Sequence, residues 1–120
     1  NDDMGAFMPH LKAFYDKFPY TIINNNERHY QAVMFTIFTM LGEDVKVEYT
    51  TSDGRIDLVL KTEQSIFIFE LKYEKSAGTA MAQICGKDYA KAFADDRRKV
   101  VKVGVNFSED QRSIEDWVIG

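Results

Sequence analysis

Four side chains in this 120-residue sequence could do chemistry together: Glu27, Asp57, Glu70 and Lys72. Glu70 and Lys72 close the segment Ser65–Tyr73, SIFIFELKY, which is nearly continuous in apolar residues. Such a run is what a strand covered on both faces shows. Side chains alternate across a strand, so Ile66, Ile68, Glu70 and Lys72 share one face and Phe67, Phe69, Leu71 and Tyr73 the other. Charges that end a row of buried isoleucines are costly unless they are paired or hold a metal. Residues 55–61 read as the preceding strand. An even-length hairpin loop centred on Glu63-Gln64 sets Asp57 opposite Glu70 and gathers Leu58, Leu60, Phe67 and Phe69 on one face. An odd loop would separate the two acids. Carboxylates directly opposite one another have Cβ atoms about 5 Å apart and repel. A hard divalent cation bound by their oxygens is the simplest agent to offset that repulsion. Lys72, two residues on, adds a compact positive charge. A second reading needs no metal: the same register sets Arg55 opposite Lys72, and the four charges neutralise one another.

Glu27 joins through helical geometry. It lies three and seven residues before Tyr30 and Met34, so it continues the apolar stripe of a helix expected from about Asn25 to Leu41. Tyr30, Val33, Met34, Ile37, Phe38 and Leu41 follow the i, i+3, i+4 rule there, and Gly42 is a natural stop. A carboxylate in the first turn is favoured by the helix dipole. Glu27 could instead close a capping box opened by Asn24.

The remaining elements must hold these side chains in place. Residues 5–18 are expected to be helical, with Leu11, Phe14, Tyr15 and Phe18 inward; Pro9 suits a first turn better than an interior, and Phe18-Pro19-Tyr20 ends the helix. Residues 45–51 alternate as a strand (Val45, Val47, Tyr49), and Ser52-Asp53-Gly54 is a turn signal. Ser76 can cap a helix over 77–93 whose apolar side is Ala77, Ala80, Met81, Ile84, Cys85 and Phe93. Residues 100–107 form a fourth strand, and 114–119 a short edge strand carrying Trp117. The order α–α–β–β–β–α–β predicts an α/β (α+β) fold, a central mixed sheet flanked by helices.

Composition agrees with a globular chain: 45% apolar, 28% charged and 13% aromatic residues. One domain over 1–120 is expected, with 1–20 as a helical lead-in and 21–118 as the core. A chain that opens on Asn1 and runs directly into an amphipathic segment is expected to be a piece of a longer protein. Cys85 is the lone cysteine; it cannot form an internal disulfide and is expected in the core, which points to the cytoplasm. No apolar run approaches the ~18 residues of a membrane span. The net charge of -4 argues against a dedicated non-specific nucleic-acid binder. Residues 75–102 nevertheless hold seven bases against three acids. The run Arg97-Arg98-Lys99 reads as a solvated turn rather than a DNA contact. His10 and His29 make no zinc pattern.

The ordered set Glu27, Gly54-Arg55-Ile56-Asp57, Glu70-x-Lys72 and Gln83, together with NERHYQAVMFTIFTMLGEDVKVEYTTSDGRIDLVL, FIFELKY and AQICGKDYA, resembles the PD-(D/E)XK nuclease superfamily. It is similar to the domain of this kind that closes a family of bacterial AAA-ATPase-like proteins, over about residues 18–118. The resemblance implies a restriction-endonuclease-like core and phosphodiester cleavage of nucleic acid, DNA in the first instance. It implies Mg²⁺ (or Mn²⁺) held by Asp57, Glu70 and the Leu71 backbone carbonyl, with Glu27 assisting metal or water. Lys72 would activate water or balance charge, and Gln83 would support the site. Arg55, Lys75 and Lys87 would contact the nucleic acid, an AAA-ATPase-like domain would be attached, and a homodimer could supply two sites. Ile56 stands where the superfamily name has proline. Some relatives carry Gln-x-x-x-Tyr in the following helix, whereas here position 87 is Lys and the tyrosine comes at 89. An inactive binding or assembly module with the same fold, and a different phosphoesterase on this scaffold, are the competing readings.

Overall fold

The computed structural model describes residues 3–17, 27–108 and 113–120. Among them, β1 (Asp44–Thr51), β2 (Gly54–Lys61), β3 (Ser65–Tyr73), β4 (Lys99–Ser108) and β5 (Ser113–Ile119) lie side by side in chain order in one sheet. Neighbours are antiparallel except β3 and β4, which are parallel. Their crossover carries helix α3 (Ala77–Gly86) and a short 3-10 helix, Tyr89–Phe93. Helices α1 (Met4–Asp16) and α2 (Glu27–Met40) cover the opposite face. The expected element order and the mixed sheet are borne out.

The alternation of β3 explains the layering. Phe67, Phe69 and Leu71 join Leu58 and Leu60 under α1 and α2, while Ile66 and Ile68 pack with Ile84, Tyr89 and Phe93 from the crossover. Ser65 through Leu71 are all buried, as a strand covered on both faces requires. Tyr30 stacks on Phe107 at 4.2 Å between centroids, and the Tyr15 hydroxyl donates to the Tyr30 carbonyl at 2.6 Å. These contacts tie both helices to β4.

Several boundaries differ from expectation. The buried stripe of α1 is Met4, Met8, Leu11 and Tyr15; Phe14 lies beside it and is 49% exposed. Pro9 sits inside the helix rather than in its first turn. It is on the exposed side, where water can satisfy the carbonyl left without an N–H. In α2 the buried positions are Tyr30, Val33, Met34 and Phe38, whereas Leu41 lies past the end and is exposed. Gly42 does stop that helix, at φ +82, and the Glu43 N–H reaches back to the Phe38 carbonyl at 3.0 Å. The single helix expected over 77–93 is broken: α3 ends at Gly86, Asp88 takes φ +51, and the 3-10 helix follows. A poor helix former followed by a residue that tolerates the left-handed region accounts for the break. The inward face of α3 is Ala77, Ala80 and Ile84, so Cys85 is exposed and not core. Phe18-Pro19-Tyr20, Asn24 and Asn25 lie outside the described residues. No helix among the described residues is long and apolar enough to cross a membrane.

Candidate active site

β2 and β3 pair in the register the sequence predicts, Leu58 against Phe69 and Leu60 against Phe67. The ladder stops there. One step further, the Asp57 carboxylate takes over from a strand carbonyl: Leu71 donates its N–H to Asp57 Oδ2 at 2.8 Å. The cause lies in the other neighbour of β2. β1 pairs Val47 with Leu58 and Tyr49 with Ile56, but Glu48 and Asp57 between them form no such pair. Glu48 adopts φ +52. On one side of this kink Val47 and Leu58 face the α1–α2 core; on the other Tyr49 and Ile56 face the crossover core. Tyr49 therefore leaves the simple alternation with Val45 and Val47, and Asp57 sits at the point where both strands change face.

Glu70 is only 3% exposed. Its Oε1 is buried and has no hydrogen-bond partner among the described residues, and its Oε2 lies 3.7 Å from Lys72 Nζ. Burial, followed by the charge of Asp57, pushes the Glu70 carboxyl up to about 8 against the pull of Lys72. Burial also raises Asp57, although the Leu71 N–H opposes it. Two acids are thus held together at the cost of their ionisation. Lys72 donates to Gln83 Oε1 at 2.6 Å. Gln83 in turn donates to the Tyr89 hydroxyl at 3.4 Å, and that hydroxyl donates to the Arg55 carbonyl at 3.1 Å. The break after α3 is what swings Tyr89 back beside Gln83, so a tyrosine six residues on reaches the amide.

A polar cleft opens beside this group, lined by Glu27, Arg28, Gln31, Glu48, Gly54, Arg55, Asp57, Leu71, Gln83, Lys87 and Tyr89; Glu70 and Lys72 are not among its lining residues. Glu27 shares the cleft from the first turn of α2, exposed at its rim; burial first, and Asp57 second, raise its carboxyl. Among the described residues no three Asp, Glu, His or Cys side chains close into a metal cage. Asp57 and Glu70 form the directly interacting pair, and the charge of Glu27 acts on both from the rim. Arg55 is not in the four-charge cluster the metal-free reading requires. It lies beyond the kink and its Nε faces Glu48 Oε1 at 3.4 Å. Lys87 lines the cleft; Lys75 does not, although its charge, after that of Lys72, works against the rise of the Glu27 carboxyl. The Lys75 N–H is fixed by the buried Asn106 side chain at 2.9 Å. Arg98 forks onto Asp96 at 2.9 and 2.7 Å and onto the Thr62 carbonyl at 3.0 Å, at the opposite end of β2. This supports the turn reading of the Arg97-Arg98-Lys99 run. His10 and His29 line an apolar groove between α1 and α2 that none of the acids of the cleft lines.

Sequence reasoning missed Gln31 and Glu48. Gln31 is one helical turn after Glu27, a signal that was there to use. The Ser52-Asp53-Gly54 turn sets Glu48 level with Asp57 in the β1–β2 hairpin, although the kink keeps the two from pairing.

A family model described as the PD-(D/E)XK nuclease superfamily matches residues 25–117 of the chain. The chain is also similar to an "Uncharacterized protein in vnfD 5'region" of Azotobacter chroococcum mcd 1, with 33% identity over 125 residues. That match covers 98% of this chain and 24% of the relative, so the chain spans about a quarter of that protein's length.

Proposed function

We propose, since this chain belongs to the PD-(D/E)XK nuclease superfamily, that it is a nuclease domain hydrolysing phosphodiester bonds with Mg²⁺ or Mn²⁺ held by Asp57, Glu70 and the Leu71 carbonyl. The observation that carries this reading is the buried Glu70 Oε1, which lacks a donor while Asp57 stands opposite. A carboxylate oxygen so placed fits a hard cation better than any side chain nearby, and an all-oxygen donor set suits magnesium. The bound cation would polarise a phosphate oxygen and acidify water. Lys72, steadied by Gln83 and Glu70, would keep its ammonium where negative charge grows on the phosphate. Glu27 would orient the attacking water from the rim. Arg55, Lys75 and Lys87 would bind the flanking phosphates of DNA. The reading includes a single cytoplasmic domain over 1–120, attached to an AAA-ATPase-like domain and assembling as a homodimer.

A cleavage assay tests it. Labelled single- and double-stranded DNA and RNA are incubated with Mg²⁺, Mn²⁺ or EDTA. Cleavage by the native chain is expected with either metal, and Asp57→Ala is expected to lower it by at least ~100-fold. A chain inert on every substrate, or one whose cleavage survives Asp57→Ala, overturns the reading. The net charge of -4 favours a second reading, an inactive binding or assembly module for the attached ATPase-like domain. That module would bind no divalent ion.

A further inference from the structure

Gln31 projects from α2 into the back of the cleft, half-buried, and the proposed chemistry gives it no task. Its Nε2 donates two hydrogen bonds, to Glu48 Oε2 at 2.7 Å and to the Asp57 carbonyl at 2.8 Å. A carboxylate and a carbonyl can only accept, so the NH₂ end of the amide must face them. These two partners are the residues at which β1 and β2 leave their ladder. The kink has two costs. A glutamate at φ +52 is held in a region that side chains disfavour, and the Asp57 carbonyl, at a position missing from both ladders of β2, needs a donor. One Gln31 amide meets both: it anchors the Glu48 carboxylate and supplies the missing donor.

We infer that Gln31 is a positioning residue, which locks the Glu48–Asp57 kink and thereby aims the Asp57 carboxylate across the strand gap at the Leu71 N–H, beside Glu70. Without the lock, residues 48 and 57 can return to regular pairing. Regular alternation would carry the Asp57 side chain off the Leu71 amide. The inference rests on the nuclease reading only for what the aimed carboxylate then does; the aiming belongs to the metal-free chain.

The test uses Gln31→Leu, which keeps the volume and removes both donors. Amide hydrogen exchange is followed by NMR on the ¹⁵N-labelled chain in EDTA, and Mn²⁺ binding is measured separately by calorimetry. The Leu71 amide is expected to exchange about tenfold faster in the variant, the equivalent of one lost hydrogen bond, relative to the amides of β4. Mn²⁺ affinity is expected to fall about 10–100-fold, as it does when a residue behind a metal ligand is removed. A Gln31 that only fastens helix to sheet would speed exchange throughout the domain and leave Leu71 in step with β4; that result overturns the inference. Should Gln31→Leu fail to fold, Gln31→Met carries the same comparison. If the native chain binds no Mn²⁺ and cuts nothing while Leu71 still responds to the substitution, the nuclease reading falls and the positioning role stands.

Discussion

Glu70→Gln is expected to make the metal-free chain more stable at pH 8–9 and to abolish its response to Mn²⁺. The direction follows from linkage. In the folded chain burial and Asp57 hold the Glu70 carboxyl at about 8, against an ordinary value of 4.5. Between those two values the folded chain keeps a proton that the unfolded chain has released. Stability therefore falls as pH rises through that window, is flat above it, and carries no such penalty below about pH 4.5. The whole shift corresponds to at most about 5 kcal/mol. The isosteric amide removes the charge and is expected to recover on the order of 3 kcal/mol at pH 9. Thermal melts in EDTA at pH 5, 7 and 9 check this. The native chain should lose stability steadily across the series, the variant far less, and Mn²⁺ should restore only the native chain at high pH. A native chain equally stable from pH 5 to 9 would show that Glu70 is at ease as an anion without a metal.

Gly104→Ala is expected to cost about 3 kcal/mol and lower the melting temperature by roughly 10 °C. Gly104 lies on β4, paired with Glu70, directly beneath α3. A Cβ there would come within 2.7 Å of the Ala77 carbonyl oxygen and 2.9 Å of the Met81 nitrogen. Both are backbone atoms of the helix, so no rotamer change relieves the clash, and α3 must lift. Lifting α3 carries Gln83 away from Lys72, so activity is expected to fall further than the unfolded fraction accounts for. Circular dichroism melts alongside cleavage rates measured well below the transition separate the two effects. A variant with an unchanged melting temperature would mean that α3 rises from β4 at no cost.

The hydrophobic period of β2 and β3 made their register legible, because one slip would have turned Phe67 and Phe69 out of the core. With the register came the Asp57–Glu70 opposition. The i, i+3, i+4 spacing brought Glu27 to the cleft but not out of water: it is exposed there rather than turned against the sheet. The kink at Glu48 and Asp57 was not legible. Propensity and alternation are local, whereas the kink is held by a hydrogen bond between residues 31 and 57 and by an ion pair across a hairpin. The break after α3 had a weak local signal in Gly86 and Asp88. Its consequence, the delivery of Tyr89 to Gln83, depended on tertiary packing. Cys85 and Phe14 were misplaced for a simpler reason: each lies beside the buried stripe of its helix, and an apolar type alone does not say which side of the boundary it falls on.

The central claim is that Asp57 and Glu70 are crowded together to hold a divalent cation, and a calorimetric titration of the native chain with Mn²⁺ tests it most directly. One ion should bind per chain at pH 7. Close to one proton should be released as it binds, visible as a dependence of the heat on the ionisation enthalpy of the buffer, and both signals should vanish in Glu70→Gln. No binding at millimolar Mn²⁺, or binding that persists unchanged in Glu70→Gln, would contradict it.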